Sequence, residues 1–238
     1  MLEKNFIPGT KLHIYSERNK FSFGIDAILL SSFCKIGRRD RVLEIGSGTG
    51  IISLRIQGLY NPISIDAVEI QRDNYEILIE NIKSNGLEGK INPYNEDINY
   101  CYDIFEDNSL DVIVTNPPYY KYGCGIQNQN ENKLISRYEK YLKVQDIFKF
   151  SKAKLKDRGR LYMVNRPERL VDLFFYGRKF KVEPKKMVPV LSRQGEKPQF
   201  ALFEFIKNAG EFFSYEKPLV IYDQKGYRKE IIDLYDGK

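Results

Sequence analysis

Residues 42–50 read VLEIGSGTG, an apolar run that closes on Glu44 and Ile45 and passes straight into Gly46, Gly48 and Gly50. Glycines at such a point let the backbone turn tightly and approach a ligand at the amino terminus of a following helix. The spacing is GxGxG. A dinucleotide pyrophosphate fits GxGxxG, and no Lys-Ser/Thr pair follows as a triphosphate cradle requires. Working outward, RVLEI (41–45), a helix in IISLRIQGL, a second strand SIDAVEI (64–70) and a helix in QRDNYEILIENIKSNG form a strand–helix–strand–helix run. Strands are then expected near 90–94, at LDVIVTN (110–116) and at GRLYMVN (159–165), with a helix near 145–156 between the last two. Such alternation predicts a parallel sheet covered on both faces. VEPKKMVPVL and QFALFEFI read as paired strands that close the sheet, and YRKEIIDLY reads as a terminal helix. Upstream, TKLHIYSERNKFSF (10–23) alternates like a hairpin, and residues 26–34 read as a short helix capped by Asp26.

Composition narrows the function. With 42% hydrophobic and 29% charged residues among 238, the chain falls with globular proteins and outside the disordered class. No run approaches the ~18 apolar residues of a membrane span, and MLEKNFIPGTKLH lacks the apolar core of a signal peptide. The expectation is a cytoplasmic chain with no membrane partner. Three scattered cysteines without a CxxC and one histidine, His13, give no metal-ligand cluster and no nucleophile–imidazole pair, so no metal is expected. The charge is lopsided: residues 1–118 hold 12 basic against 17 acidic side chains, and residues 119–238 hold 26 against 15. A basic half of this kind suits a phosphate backbone.

The second strand ends at Glu69, about 20 residues beyond the glycines, where an acid accepts hydrogen bonds from ribose hydroxyls. Asp66 is the other acid on that strand, but it lies three residues from the end and is expected to face a helix. The sharpest motif is Asn116-Pro117-Pro118-Tyr119, directly after DVIVT. Two prolines fix the backbone and remove two donors, holding the Asn116 amide and the Pro117 carbonyl as acceptors at a strand end. An exocyclic amino group is a poor nucleophile because its lone pair is delocalised. Two acceptors on its hydrogens draw the nitrogen toward tetrahedral geometry, and Tyr119 supplies a ring to stack on a base taken out of its helix.

The glycine loop and strand-end acid together resemble the class I methyltransferases that use S-adenosylmethionine. The resemblance implies a Rossmann-like α/β fold: a mostly parallel seven-stranded sheet with helices on both faces and an antiparallel C-terminal strand. It also implies that Glu44, Gly46, Ser47, Gly48 and Gly50 line the cofactor, that Glu69 grips the ribose, that Ile70 packs on adenine, and that Asp97 contacts the adenine amino group. Asn-Pro-Pro-Tyr resembles the signature of enzymes that methylate adenine N6 or a glutamine amide nitrogen by direct transfer.

FSFGIDAILLSSF (21–33), DAVEIQ, TNPPYY, SRYE around Arg137 and VNRPERLVDL (164–173) are similar to the tRNA(Val) (adenine(37)-N6)-methyltransferase family. That likeness runs from about residue 6 to 206. It implies that Phe23, Gly24 and Asp26 approach or close over the methionine end of the cofactor, and that Asn116, Pro117, Pro118 and Tyr119 form the catalytic set. tRNA is the implied partner. Arg137, Arg166, Arg169 and Lys179 are candidate RNA contacts within a basic, aromatic-rich stretch. The expected organisation is a hairpin and short helix in 1–35, a methyltransferase domain in 36–206 and an extension packed on it in 207–238. Two alternatives stay open: methylation of another amino group, on a ribosomal RNA base or a protein glutamine, and a catalytically silent RNA-binding module.

Overall fold

The structure is a computed structural model that describes residues 2–17, 24–117 and 142–237. Its centre is a sheet in which β3 (Arg41–Ile45), β4 (Ser64–Val68), β5 (Ile91–Tyr94), β6 (Leu110–Thr115), β7 (Leu155–Asn165), β8 (Val182–Arg193) and β9 (Phe200–Lys207) lie in the order β5-β4-β3-β6-β7-β9-β8. All neighbours are parallel except β9, which runs antiparallel to both β7 and β8. The seven-stranded arrangement with one antiparallel strand is therefore present. β3, β4 and β6 are buried along nearly their whole length, which is why they read as continuous apolar runs and do not alternate.

Two cores follow from two covered faces. α1 (Ile25–Phe33), α2 (Ile51–Tyr60) and α3 (Arg72–Ser84) pack on one face through Leu29, Leu54, Leu78 and Ile82. α4 (Val144–Lys154) and α5 (Leu170–Lys179) cover the other with Ile147, Phe148 and Leu173, against Phe203 and Phe205 of β9.

The chain enters β4 and β5 from β3 by successive crossovers, then returns to place β6 on the other side of β3. This reversal of strand order is where open sheets bind ligands, beyond the carboxyl ends of the strands. Register makes the edge flush: Ile45 pairs with Val68 on one side and Thr115 on the other. Gly46, Glu69 and Asn116 consequently leave the sheet side by side.

Three expectations need correction, and a fourth falls partly outside the described residues. Of the hairpin expected in 10–23 the structure describes the part up to Glu17: there β2 (His13–Glu17) pairs antiparallel with β1 (Leu2–Phe6), across a turn closed by the Ile7 N–H on the Leu12 carbonyl at 3.0 Å, and residues 18–23 lie outside the described residues. Alternation marked β2 correctly as a strand, but Pro8-Gly9 places its partner upstream. Helix α1 is capped by Gly24 and not by Asp26, which is its second residue. β7 starts at Leu155, opposite Leu110, and passes an irregularity before its regular pairing resumes at Arg160 with Val112. The sheet also continues past seven strands. β11 (Leu219–Asp223) lies parallel on β8, β12 (Gly226–Tyr227) turns back on β11, and the short β10 (Ser214–Tyr215) also pairs with β8.

Helix α6 (Lys229–Tyr235) returns to α1 and buries Ile231. Arg55, fully buried in α2, fastens this return: it donates to the carbonyls of Pro8, Ile28 and Leu234 and to the hydroxyls of Ser31 and Ser32. Among the described residues no helix is long and apolar enough to cross a membrane.

Candidate active site

The loop after β3 is built by left-handed glycines at Gly46 (φ 72°), Gly48 (φ 56°) and Gly50 (φ 96°), a region that side chains disfavour. Each serves differently. The N–H groups of Gly46 and Ser47 both donate to the Val68 carbonyl, so the loop starts as an overhang of the β3–β4 pair. A Cβ on Gly50 would stand 2.5 Å from Leu78 Cδ1, so glycine there lets α2 begin against α3. Among the described residues a Cβ on Gly48 would meet nothing within 4 Å. Ser47 Oγ, buried, has no hydrogen-bond partner among the described residues.

Glu69 leaves β4 opposite that loop. Its Oε2 accepts the Gly48 N–H at 2.8 Å and its Oε1 accepts the Gln71 N–H at 2.7 Å. Burial pushes this carboxyl above the ordinary range, and hydrogen bonds from Gln71, Gly48 and Asn74 pull it partly back. Ile70 follows with its side chain partly exposed, and Asn95 Nδ2 donates to the carbonyls of Glu69 and Ile70, fixing the segment. Asp97 caps a 3₁₀ turn (Ile98–Tyr100) by accepting from the Asn99 backbone and side chain.

Asp66 stays away from this edge. It is buried on β4 and bonds to Asn92 and the Tyr94 hydroxyl of β5. Glu44 also turns inward: it is 1% exposed and accepts both the N–H and the hydroxyl of Ser53 in α2, so it orients the helix under the loop. Burial pushes its carboxyl up to about 8, against the pull of those two hydrogen bonds.

From the third strand end comes Asn116, with Pro117 buried behind it. Thr115 Oγ1 donates to the Ile45 carbonyl at 2.9 Å and ties the exit of β6 to that of β3. Asn116 Nδ2 donates to Asp26 Oδ2 at 3.1 Å, which brings the start of α1 onto the same edge. Gly24 stands beside it. Phe23, Pro118, Tyr119 and Arg137 lie outside the described residues.

Of the basic candidates, Arg166 sits just past β7 and donates to the Gln199 carbonyl at 3.0 Å. Arg169 is largely buried, with Nε on Asp172 at 3.0 Å. Lys179, exposed at the end of α5, lies over the rings of Phe175 and Phe180. Among the described residues no group of three or more His, Cys, Asp or Glu is placed to hold a metal ion.

One contributor has no motif. Asn81 of α3 is fully buried; its Oδ1 accepts the Tyr15 N–H, and its Nδ2 donates to the carbonyls of Tyr15 and of Thr49 in the glycine loop. Asn85, one turn later, grips His13 through both backbone groups. The spacing of four on an otherwise amphipathic helix is the signal that was available: two amides on the face that meets β2.

Comparison with known proteins places this geometry. The model of the family described as methyltransferase small domain matches residues 11–172. A relative in Flavobacterium johnsoniae, named tRNA1(Val) (adenine(37)-N6)-methyltransferase, is 23% identical over 222 residues, 93% of each chain. Among solved structures, a predicted O-methyltransferase of Agrobacterium tumefaciens superimposes with a TM-score of 0.71 at 17% identity, over 89% of this chain and 96% of that one. TYW2 of M. jannaschii, in complex with AdoMet, gives 0.56 at 17% identity, over 86% and 84%.

Proposed function

Because the chain belongs to the methyltransferase small domain family, with S-adenosylmethionine as its methyl donor, we infer that it methylates N6 of an adenine in tRNA, at position 37 of valine tRNA. The observation that carries the reading is the flush edge: Ile45, Val68 and Thr115 in one register bring the glycine loop, Glu69 and Asn116 together. The donor fits the residues present. Gly48 leaves room for close approach, Ser47 Oγ is a buried polar atom at the loop, and Glu69 is an oriented carboxylate one strand away. We assign the loop to the amino-acid part of the donor, Glu69 to the ribose, and Ile70 and Asp97 to the adenine.

When bound, the donor supplies an electrophilic methyl on a sulfonium. The chain supplies position and polarity. Asn116 Oδ1 and the Pro117 carbonyl accept the two hydrogens of the adenine amino group, and Tyr119 stacks on the base. As the carbon–nitrogen bond forms and the carbon–sulfur bond breaks, the nitrogen gains positive charge, and acceptors on its hydrogens bind it more tightly than in the ground state. The extra proton then leaves to water, so no strong base is required. Arg166 and Lys179, both at the surface, are the described candidates for RNA backbone contact; Arg169 serves the fold through Asp172. The setting of such a reaction is the cytoplasm.

The substrate class is supported by the name of the relative and by the basic second half of the chain. Incubation with labelled S-adenosylmethionine and separate unmodified tRNA, ribosomal RNA and protein pools tests it. Label in tRNA as N6-methyladenosine is expected; label confined to ribosomal RNA or to protease-sensitive material overturns the substrate.

A further inference from the structure

We propose that Asp26 is a positioning residue for the methyl transfer, which sets and polarises the side-chain amide of Asn116. This deepens the reading above and rests on Asn116 accepting a hydrogen of the substrate amino group. Ninety positions separate the two residues, yet Asp26 Oδ2 stands 3.1 Å from Asn116 Nδ2. The carboxylate is itself held: its Oδ1 accepts the Ala27 N–H at 2.9 Å in the first turn of α1. A second observation points the same way. A Cβ on Gly24 would lie 2.2 Å from Asp26 Oδ1, although the backbone there (φ −76°) suits any residue. A Cβ at 24 and this conformation of the Asp26 side chain exclude each other, so the side chain that reaches Asn116 occupies space that glycine leaves open.

A primary amide has two orientations of nearly equal shape, with donor and acceptor ends exchanged. With a carboxylate oxygen at one end, the exchanged orientation sets oxygen against oxygen and is disfavoured. Asp26 therefore holds the nitrogen end of Asn116 and leaves the carbonyl end as the acceptor. The hydrogen bond is charge-assisted, and it draws electron density through the amide toward Oδ1, making it a stronger acceptor. That gain grows as the substrate nitrogen becomes cationic, so it belongs to the transition state and not to binding. Atoms balance without a covalent enzyme intermediate: the methyl carbon leaves sulfur for N6, the sulfonium becomes a thioether, and N6 gives one proton to water.

The test is steady-state kinetics on valine tRNA together with calorimetry of S-adenosylmethionine for Asp26→Asn, Gly24→Ala and Asn116→Ala. Asp26→Asn keeps the shape and removes the charge. It is expected to lower kcat by about tenfold to a hundredfold, the size of a lost charge-assisted bond, with cofactor Kd and KM for tRNA within about threefold. Gly24→Ala, which displaces the carboxylate, is expected to show the same split. The Asn116 side-chain amide protons, assigned by their absence in Asn116→Ala, should move upfield in Asp26→Asn. An unchanged kcat in Asp26→Asn while Asn116→Ala is inactive overturns the proposal alone. So does a loss that lies entirely in cofactor Kd, which would make Asp26 a cofactor ligand. Full activity in Asn116→Ala overturns the underlying reading and the proposal with it.

Discussion

The Glu69 carboxylate accepts the backbone N–H of Gly48 at 2.8 Å, so the acid at the end of β4 and the second glycine after β3 are one unit. Neither is placed by its own strand alone: Glu69 is turned toward the loop by the Gln71 amide on its other oxygen, and the loop is hung from the Val68 carbonyl. Glu69→Ala removes an anionic acceptor from two backbone donors. A hydrogen bond to a charged group contributes about 1.5–3 kcal/mol, so cofactor Kd should rise by roughly 10- to 150-fold. Calorimetry checks this, and Glu69→Gln, which keeps an acceptor, should lose less.

Asn81 joins the N-terminal strand to the glycine loop. Asn81→Ala leaves the Tyr15 N–H and the Thr49 carbonyl without their buried partner. The cost of such an unmade bond is about 1–3 kcal/mol, which for a domain of this size is a fall in Tm of roughly 3–10 °C. Calorimetric melting gives the number. The cofactor should bind more weakly in the same variant, because Thr49 lies in the loop.

Stability near Glu44 should depend on pH in one direction. Its carboxyl ionises near 4.5 when unfolded and at about 8 when folded, so the fold favours the protonated form. That contribution is complete below about 4.5 and is lost as the pH rises toward about 8. Glu44→Gln does not titrate. Relative to it, the wild type should lose on the order of 1 kcal/mol per pH unit across this window. Urea midpoints at three pH values decide it, and parallel curves would contradict the assignment.

Arg55 closes the fold on itself by bonding Pro8, α1 and the last turn of α6. Arg55→Met keeps the apolar stem and removes all five donors. The loss of this buried network should cost about 3 kcal/mol or more, with cleavage by trypsin appearing first in residues 207–238. Cleavage spread evenly along the chain would contradict the role.

Much of this architecture was legible because its signals are local. VLEIGSGTG, SIDAVEI and LDVIVTN each announce a buried strand and, in their order, the crossover topology. The loop glycines and Glu69 could be named for the same reason. What was hidden depends on partners far apart in the chain. β2 announced itself by alternation, but its pairing with β1 depends on the turn at Pro8-Gly9, and its seat on α3 on Asn81 and Asn85, about 70 residues away. Glu44 was legible as the acid of the loop, but its bonds to the Ser53 amide and hydroxyl appear only once α2 folds back on β3. Asp26 reads as a helix cap; its bond to Asn116 exists only once α1 meets β6. The strands β10 and β12 are two exposed residues each and carry no apolar pattern to be read, and β11, which buries Val220 and Ile221, is a single short run whose partner β8 lies far back in the chain.

The central claim is methyl transfer to one adenine amino group, and an unmodified valine tRNA transcript tests it most directly. After incubation with S-adenosylmethionine, nuclease digestion and mass spectrometry should find N6-methyladenosine, and none when adenosine 37 is replaced by guanosine. A methyl group on any other nucleoside, or the same N6-methyladenosine yield from the replaced transcript, would contradict the account.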